Sequence, residues 1–279
     1  MQSSATVTIP ALQQMKRAGQ KIVGVVAWDF QIAQIVDRAG VDIVSVGDSV
    51  GTNLWGHASP LAVTMEEMIV VSKAVRRSVK RAVVSCDVPF GPLQEGVDSA
   101  LRAAIRLVKE AGADMIKLDG AADFPEAVRA IARAGIPVFA QFGITPQTAL
   151  QYGLSYSDMS KPGAQAPAAM TAKFVDEATR LEDAGASLLD FTLSGPVAGP
   201  AVVAAVSIPV IGGLGGGPWL DGRMRMAHAA IGYAASALDS NTETYANVAR
   251  TTLEAITAYA EDVRAGRQIK GGIPITPAP

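Results

Sequence analysis

One phrase recurs along this chain of 279 residues: a helical stretch closes on Ala-Gly, and a short apolar run follows at once. Residues 38–44 read RAGVDIV, 111–117 AGADMIK, 134–139 AGIPVF and 184–189 AGASLL. Glycine takes the left-handed backbone at a helix end without a Cβ clash, and an apolar run of strand length suits a strand covered on both faces. Helix, glycine, strand, repeated, is the order of βα units around a parallel sheet. Such runs predict strands at 22–28, 42–47, 82–88, 115–119, 137–142, 187–193 and 208–214, with 228–233 the best remaining stretch for an eighth. Helical patterning is clearest over 66–79, 95–111, 124–134 and 171–184. Seven or eight units within roughly 230 residues fit a single-domain (β/α)8 TIM barrel spanning 1–279. A doubly wound open sheet would carry a glycine-rich phosphate turn after its first strand, where this chain has Ala27-Trp28-Asp29-Phe30. Segment 153–168, rich in Gly, Ser, Pro and Ala, reads as a mobile lid loop, and the Gly/Pro-rich tail 271–279 as loosely held.

Composition narrows the partner. Basic and acidic residues nearly balance, 24 against 26, and aromatics are 5% of the chain, so neither an electrostatic footprint for nucleic acid or anionic membrane nor a base-stacking surface is expected. A small molecule is the expected partner. Cys86 is the single cysteine, which rules out an intrachain disulfide and fits a reducing compartment. Met1 to Pro10 shows no basic segment leading into an apolar run, and no stretch has membrane-spanning length, so the expectation is cytoplasmic.

In a barrel of this class, chemistry collects where strands end at the C-terminal face. The predicted ends carry Asp29 on strand 1, Gly47-Asp48-Ser49 on strand 2, Cys86-Asp87 on strand 3, Lys117 and Asp119 on strand 4, Gln141 on strand 5, Asp190 and Thr192 on strand 6, and Gly212 to Gly217 after strand 7. One aspartate at a βα turn is most simply a helix cap. Three on adjacent strands beside a lysine, among apolar neighbours, are another matter, because buried charge is costly unless paired or metal-bound. Asp48, Asp87 and Asp119 offer oxygen ligands to one hard cation, and a few protein oxygens with positions left open suit Mg2+. Lys117 then sits beside the metal to bind a substrate carboxylate, and the Ser49 hydroxyl is placed to reach metal or substrate. Asp29 reads equally as an N-cap or as support for the site. Asp190, on the same strand face as Thr192, reads equally as a chemical group or as the buried partner of a base. His57 and His228 read as structural, without zinc-ligand spacing, and Cys86 as core. The glycine run fits neither the dinucleotide nor the P-loop fingerprint.

At these residues the chain resembles the ketopantoate hydroxymethyltransferase family of the phosphoenolpyruvate/pyruvate barrel superfamily, from about Val7 to Ala265. The resemblance is carried by Ala27-Trp28-Asp29-Phe30, Val46-Gly47-Asp48-Ser49-Val50-Gly51, Gly56-His57, Val63-Thr64, Ala74-Val75-Arg76-Arg77, Asp87-Val88-Pro89-Phe90, Ala111 to Lys117, Gly143-Ile144-Thr145-Pro146-Gln147 and Ile208-Pro209-Val210-Ile211-Gly212. It implies Mg2+ on Asp48 and Asp87, a 2-oxo acid held by Ser49 and Lys117, and 5,10-methylenetetrahydrofolate as donor of a hydroxymethyl group to 3-methyl-2-oxobutanoate. It also implies a homo-oligomer. Three positions depart from the family's pattern: Asp119 stands for a glutamate, Gln141 for a histidine and Thr192 for the glutamate read as the base. Asp190 or Asp119 is then the candidate replacement base. The alternatives are C–C lysis or hydrolysis of another 2-oxo acid, or non-catalytic ligand binding.

Overall fold

The computed structural model describes residues 5–159, 161 and 163–272. Eight strands close into a fully parallel barrel in sequence order. They are β1 (Ile22–Val26), β2 (Ile43–Val46), β3 (Val83–Asp87), β4 (Met115–Leu118), β5 (Val138–Gly143), β6 (Leu188–Thr192), β7 (Val210–Gly212) and β8 (Gly222–Met226). The helices are α1 (Ile9–Arg17), α2 (Phe30–Arg38), α3 (Val50–Asn53), α4 (Met65–Ser78), α5 (Val97–Arg106), α6 (Pro125–Arg133), α7 (Tyr156–Met159), α8 (Thr171–Asp183), α9 (Ala198–Ala205), α10 (Ala227–Ala230) and α11 (Val248–Arg264). The chain divides into two compact units, Met1–Ala227, which holds the barrel, and His228–Pro279.

The recurrent Ala-Gly phrase does what its chemistry predicts: Gly40, Gly112, Gly135 and Gly185 all have positive φ, between 74° and 96°. Each ends a helix and turns the chain into or toward the next strand. Capping is explicit elsewhere. Thr64 and Glu67 form a reciprocal capping box on α4, whose first turn is acidic and last turn basic. Asp29 caps α2, its Oδ1 accepting from Ile32 N at 2.8 Å.

The eighth strand is Gly222–Met226, not 228–233, where α10 and a turn lie instead. The physical reason is cover. No helix lies between β7 and β8, so Arg223 and Arg225 on the outward face of β8 are exposed, as is Val23 beside them on β1. An uncovered strand alternates in polarity, whereas β2, β3, β4 and β6 are buried along their whole length. Segment 153–168 contains α7 and part of a 3-10 turn, with Ser160 and Pro162 outside the described residues, as are 273–279 of the tail.

Inward-facing residues stack in layers along the barrel axis. The lowest is apolar and takes one residue from every strand: Ile22, Ile43, Val83, Met115, Phe139, Leu188, Ile211 and Met224, closed from below by Leu12 of α1. Lys16 secures α1 there, with Asp221 at 3.1 Å and the carbonyls of Val203 and Ile208 at 3.1 and 2.9 Å. Two residues further along β2 to β6 the interior turns polar, with Ser45, Ser85, Lys117, Gln141 and Asp190 all buried. The larger apolar cluster lies outside the sheet, where Phe142 stacks on Phe191 at 4.7 Å and Phe174 meets Phe191 edge-on.

Asp37 fastens the helical layer to the sheet. Its carboxylate accepts from the backbone N–H groups of Lys80, Arg81 and Ala82, between 2.8 and 3.2 Å, at the turn that feeds β3. Asp37→Ala leaves these donors without their charged acceptor. The expected loss is about 2 kcal/mol of unfolding free energy, read as a lower guanidinium midpoint at unchanged slope.

Candidate active site

That polar layer and the residues just above it on the barrel axis form one buried cluster. Asp48 follows β2, Asp87 ends β3, Lys117 lies on β4 with Asp119 just beyond it, Gln141 lies on β5, and Asp190 and Thr192 on β6. All are at most 7 % exposed, and Thr192 is fully buried. Strand register explains the convergence: Asp87 pairs with Lys117, Gln141 with Asp190, and Gly143 with Thr192. Gly47 is required where β2 turns toward the site. A Cβ there would stand 2.9 Å from Ser49 Oγ and 3.5 Å from Asp87 Oδ2, so its absence lets Ser49 and Asp87 face the same space.

Lys117 is the hub. Its Nζ lies 3.4 Å from Asp87 Oδ2 and 3.5 Å from Asp190 Oδ2, and it donates to Gln141 Oε1. Gln141 Nε2 in turn donates to Thr192 Oγ1 at 2.7 Å. Burial opposes the charge on Lys117, but Asp87, Asp190, Asp119 and Asp48 together outweigh it and hold the ammonium above the ordinary lysine range. It is a fixed cation, not a base. Asp190 is therefore the buried partner of a lysine. Its other oxygen accepts from Gly213 N at 3.4 Å, so both oxygens are engaged.

Four carboxylates face this one ammonium, and the imbalance shows in their proton affinities. Burial, assisted by Asp119, raises Asp48 to about 6 against the pull of Gln147 and Lys117. Burial raises Asp87 to about 7, with Lys117 opposing and Asp48 and Asp190 adding to the rise. Burial likewise raises Asp119 to about 7. Two carboxylate oxygens, Asp87 Oδ1 and Asp119 Oδ1, are buried without a hydrogen-bond partner. Hard oxygens left unpaired in a region of excess negative charge are what a divalent cation neutralises. The fit rests on few ligands: among the described residues, no group of three or more His, Cys, Asp or Glu side chains is close enough to hold a metal ion.

Two loops contribute residues that strand-end reasoning does not reach. Gln147, after β5, donates from Nε2 to Asp48 Oδ2 at 2.9 Å and from its backbone N–H to Asp119 Oδ2 at 3.3 Å, tying those carboxylates together. Tyr156 of α7 is partly buried near the same charges: burial raises its phenol, Asp48 adds to the rise and Lys117 opposes it. Gln147 belongs to the Gly143–Gln147 motif, the only signal in the sequence that marks it. Tyr156 carries none.

The remaining candidates lie elsewhere. Burial drives the Cys86 thiol up to about 12, as for an inert core residue. His57 stacks edge-on against Trp55 at 6.0 Å, and His228 against Tyr233 at 4.5 Å. The glycine run serves packing: a Cβ on Gly217 would meet the Trp219 ring at 2.3 Å, and one on Gly212 would meet the Phe191 carbonyl at 2.9 Å. Among the described residues no helix is long and apolar enough to cross a membrane.

The solved structures most like this barrel include a 2,3-dimethylmalate lyase of the PEP mutase/isocitrate lyase superfamily, with a TM-score of 0.60 at 14% identity, covering 95% of this chain and 91% of that one. A phosphonopyruvate hydrolase in complex with oxalate and Mg++ gives 0.57 at 14%, covering 94% and 89%. At that identity they establish the fold. Sequence relatives reach further. The 3-methyl-2-oxobutanoate hydroxymethyltransferase of a Cyanothece species is 38% identical over 261 residues, covering 92% of this chain and 96% of that protein. The one from Moorella thermoacetica is 37% identical over 267 residues, covering 96% and 97%. The family model described as ketopantoate hydroxymethyltransferase matches residues 6–268. With its closed barrel and strand-end cluster, the chain belongs to the ketopantoate hydroxymethyltransferase family and is an enzyme of the transferase class.

Proposed function

We propose that this site activates a branched 2-oxo acid, 3-methyl-2-oxobutanoate, for C–C bond formation with a one-carbon unit from 5,10-methylenetetrahydrofolate, with Mg2+ held by Asp48 and Asp87. The observation that carries the reading is the cluster of buried carboxylates around one ammonium, with Asp87 Oδ1 and Asp119 Oδ1 unpaired. When bound, Mg2+ supplies a Lewis acid for the keto oxygen. The solved phosphonopyruvate hydrolase shows Mg++ and a two-carbon diacid accommodated by the same fold. Ser49 and Lys117 orient the acid, and the ammonium stabilises negative charge that develops on the keto oxygen as the C3 proton leaves. Gln141 and Thr192 position and do not accept that proton. Asp190 is pinned on Lys117 and Gly213 N. Asp119 keeps a free oxygen and has a proton affinity near neutrality, which fits a base. Asp119 and the metal therefore compete for one oxygen, and the reading assigns Asp119 the proton. C–C lysis of a 4-hydroxy-2-oxo acid, the reverse sense of the same chemistry, is the second reading, favoured by the neutral Thr192 at the end of β6. Cytoplasmic location belongs to the same proposal, supported by the single buried thiol.

We further propose that the protein works as a homo-oligomer, its partner a second copy. Along α11, Ala249, Leu253, Ile256, Ala260 and Val263 fall at alternating spacings of four and three, a seam suited to helix pairing. Leu253, Ile256 and Val263 stand exposed, with Tyr259 beside them.

Three outcomes are expected. In D2O with Mg2+, the wild-type protein exchanges the C3 proton of 3-methyl-2-oxobutanoate, followed by NMR, and Asp48→Asn/Asp87→Asn slows exchange by at least about a hundredfold. Absence of exchange with any branched 2-oxo acid removes the enolisation reading. Without metal, carboxylates whose folded values lie near 6 to 7, against 3.8 when unperturbed, bind more protons folded than unfolded. Stability therefore falls as pH rises from about 4 to about 7, and Mg2+ raises Tm more at pH 8 than at pH 5. Calorimetric scans at both pH values, with and without Mg2+, measure this; an equal metal effect at both counts against the site. Finally, sedimentation should show an oligomer that Leu253→Glu/Ile256→Glu dissociates, and a wild-type monomer at micromolar concentration refutes the seam.

A further inference from the structure

A cavity of about 610 Å3 lies just beyond the site, at the ends of β5 and β6. Its walls are largely apolar, with Ile144, Tyr152, Leu154, Met159, Met170 and Leu193 among them. Two of these follow site positions directly in the chain. Ile144 comes after Gly143, which is in register with Thr192, and Leu193 comes after Thr192 itself. Gly143 makes the close approach of the two strand ends possible. It is left-handed at φ 91°, and a Cβ there would stand 2.6 Å from the Thr192 carbonyl oxygen. Leu193 is also left-handed, at φ 55°, a backbone that a bulky side chain adopts only where its surroundings over-determine it. They do so here: its N–H donates to the Leu214 carbonyl and its own carbonyl accepts from Ala166 N, both at 2.8 Å. Strain is thus held at the point where β6 turns into the cavity wall, and the second bond fixes the 164–167 stretch, which forms part of that wall.

Position and charge decide what fills it. On the reading proposed above, the head of the acid is held on the β2-to-β4 side, by the metal on Asp48 and Asp87 and by Lys117. Its carbon tail then points to the opposite side, β5 and β6, where Gln141 and Thr192 are uncharged and bonded to each other. The chain beyond those two residues leads to Ile144 and Leu193 and so to the cavity. The charged side chains among its described walls, Asp158 and Lys161, are paired with each other at 2.5 Å. Lys173, which reaches Tyr152 Oη at 3.1 Å, is also paired with Glu177 at 3.5 Å. A charged group entering would give up water and meet only cations already engaged, whereas hydrocarbon gains by leaving water. A cavity of this size holds far more than an isopropyl group, and its two methionines adapt to a flexible occupant. We infer that this cavity takes the hydrocarbon tail of the 2-oxo acid, and that the chain selects acids with tails of about six carbons over the three-carbon tail of 3-methyl-2-oxobutanoate. The inference rests on the 2-oxo acid reading and deepens it by naming the substrate class; Leu154, Met170 and Leu193 are its specificity-determining residues.

The test titrates 2-oxobutanoate, 3-methyl-2-oxobutanoate, 2-oxohexanoate and 2-oxooctanoate calorimetrically into the full chain with Mg2+. Along the straight-chain acids the wild-type affinity should rise about threefold for each added methylene, and 2-oxooctanoate should bind more tightly than 3-methyl-2-oxobutanoate. Leu154→Trp, which fills the cavity, should leave 2-oxobutanoate binding within about twofold of wild type and flatten the rise beyond it. Met170→Asp, which charges the wall, is the second variant and should flatten it as well. The affinity for 2-oxobutanoate reports an intact head site in each variant, and the ratio of long to short acid within one protein cancels any general weakening. Affinity that does not grow with chain length in the wild type, or a rise that both variants keep, overturns the inference while leaving the 2-oxo acid reading in place. Failure of the wild type to bind any of the four acids overturns both.

Discussion

The structure is organised around the cost of gathering four carboxylates about one ammonium out of contact with water. An isolated buried carboxylate is strongly disfavoured in its charged form, and Asp48, Asp87 and Asp119 answer in part by holding protons up to near neutrality. The cluster is tolerable only because every member is held by at least one directed contact. Lys117 reaches Asp87 and Asp190, Gln147 reaches Asp48 and Asp119, and Gly213 N closes the second oxygen of Asp190. The apolar floor from Ile22 to Met224, plugged by Leu12, keeps these groups at one level, because strand alternation forces polar residues up toward the C-terminal ends. Fold and site are thus one polarity gradient along the barrel axis.

That gradient explains what the sequence reveals and what it hides. Seven strands are legible because each reads as a short apolar run, and β2 to β6 are buried almost throughout. The eighth escapes because its outer face, Arg223 and Arg225, meets solvent, and its alternation looks like a loop or a polar edge. Strand-end residues are legible because barrel geometry says where strand ends go. Gln147 and Tyr156 are not, because a loop's landing point is a tertiary fact: nothing local in Gly143–Gln147 says that its last side chain reaches back to β2. Asp29 illustrates the converse. Its position at a strand end marks it as a candidate, and only the geometry of α2 shows it engaged as a cap.

The glycine run after β7 is a case where a motif-like string has a mundane cause. Gly212, Gly216 and Gly217 make room for Leu220 and Trp219, whose ring also demands Gly199 in α9. The run contributes one amide to the site, Gly213 N on Asp190, and so acts through the lysine's partner. Its glycines are needed for close packing, which no fingerprint of nucleotide binding describes.

Family membership leaves open how the chemistry is divided among residues, and here two departures from the family's pattern are one. Gln141 and Thr192, both read in the sequence as departures from the resemblance, are hydrogen-bonded to each other, an uncharged donor–acceptor link across β5 and β6. On the reading proposed above, the proton taken from carbon therefore goes to Asp119, whose Oδ1 has no hydrogen-bond partner, and not to this uncharged pair.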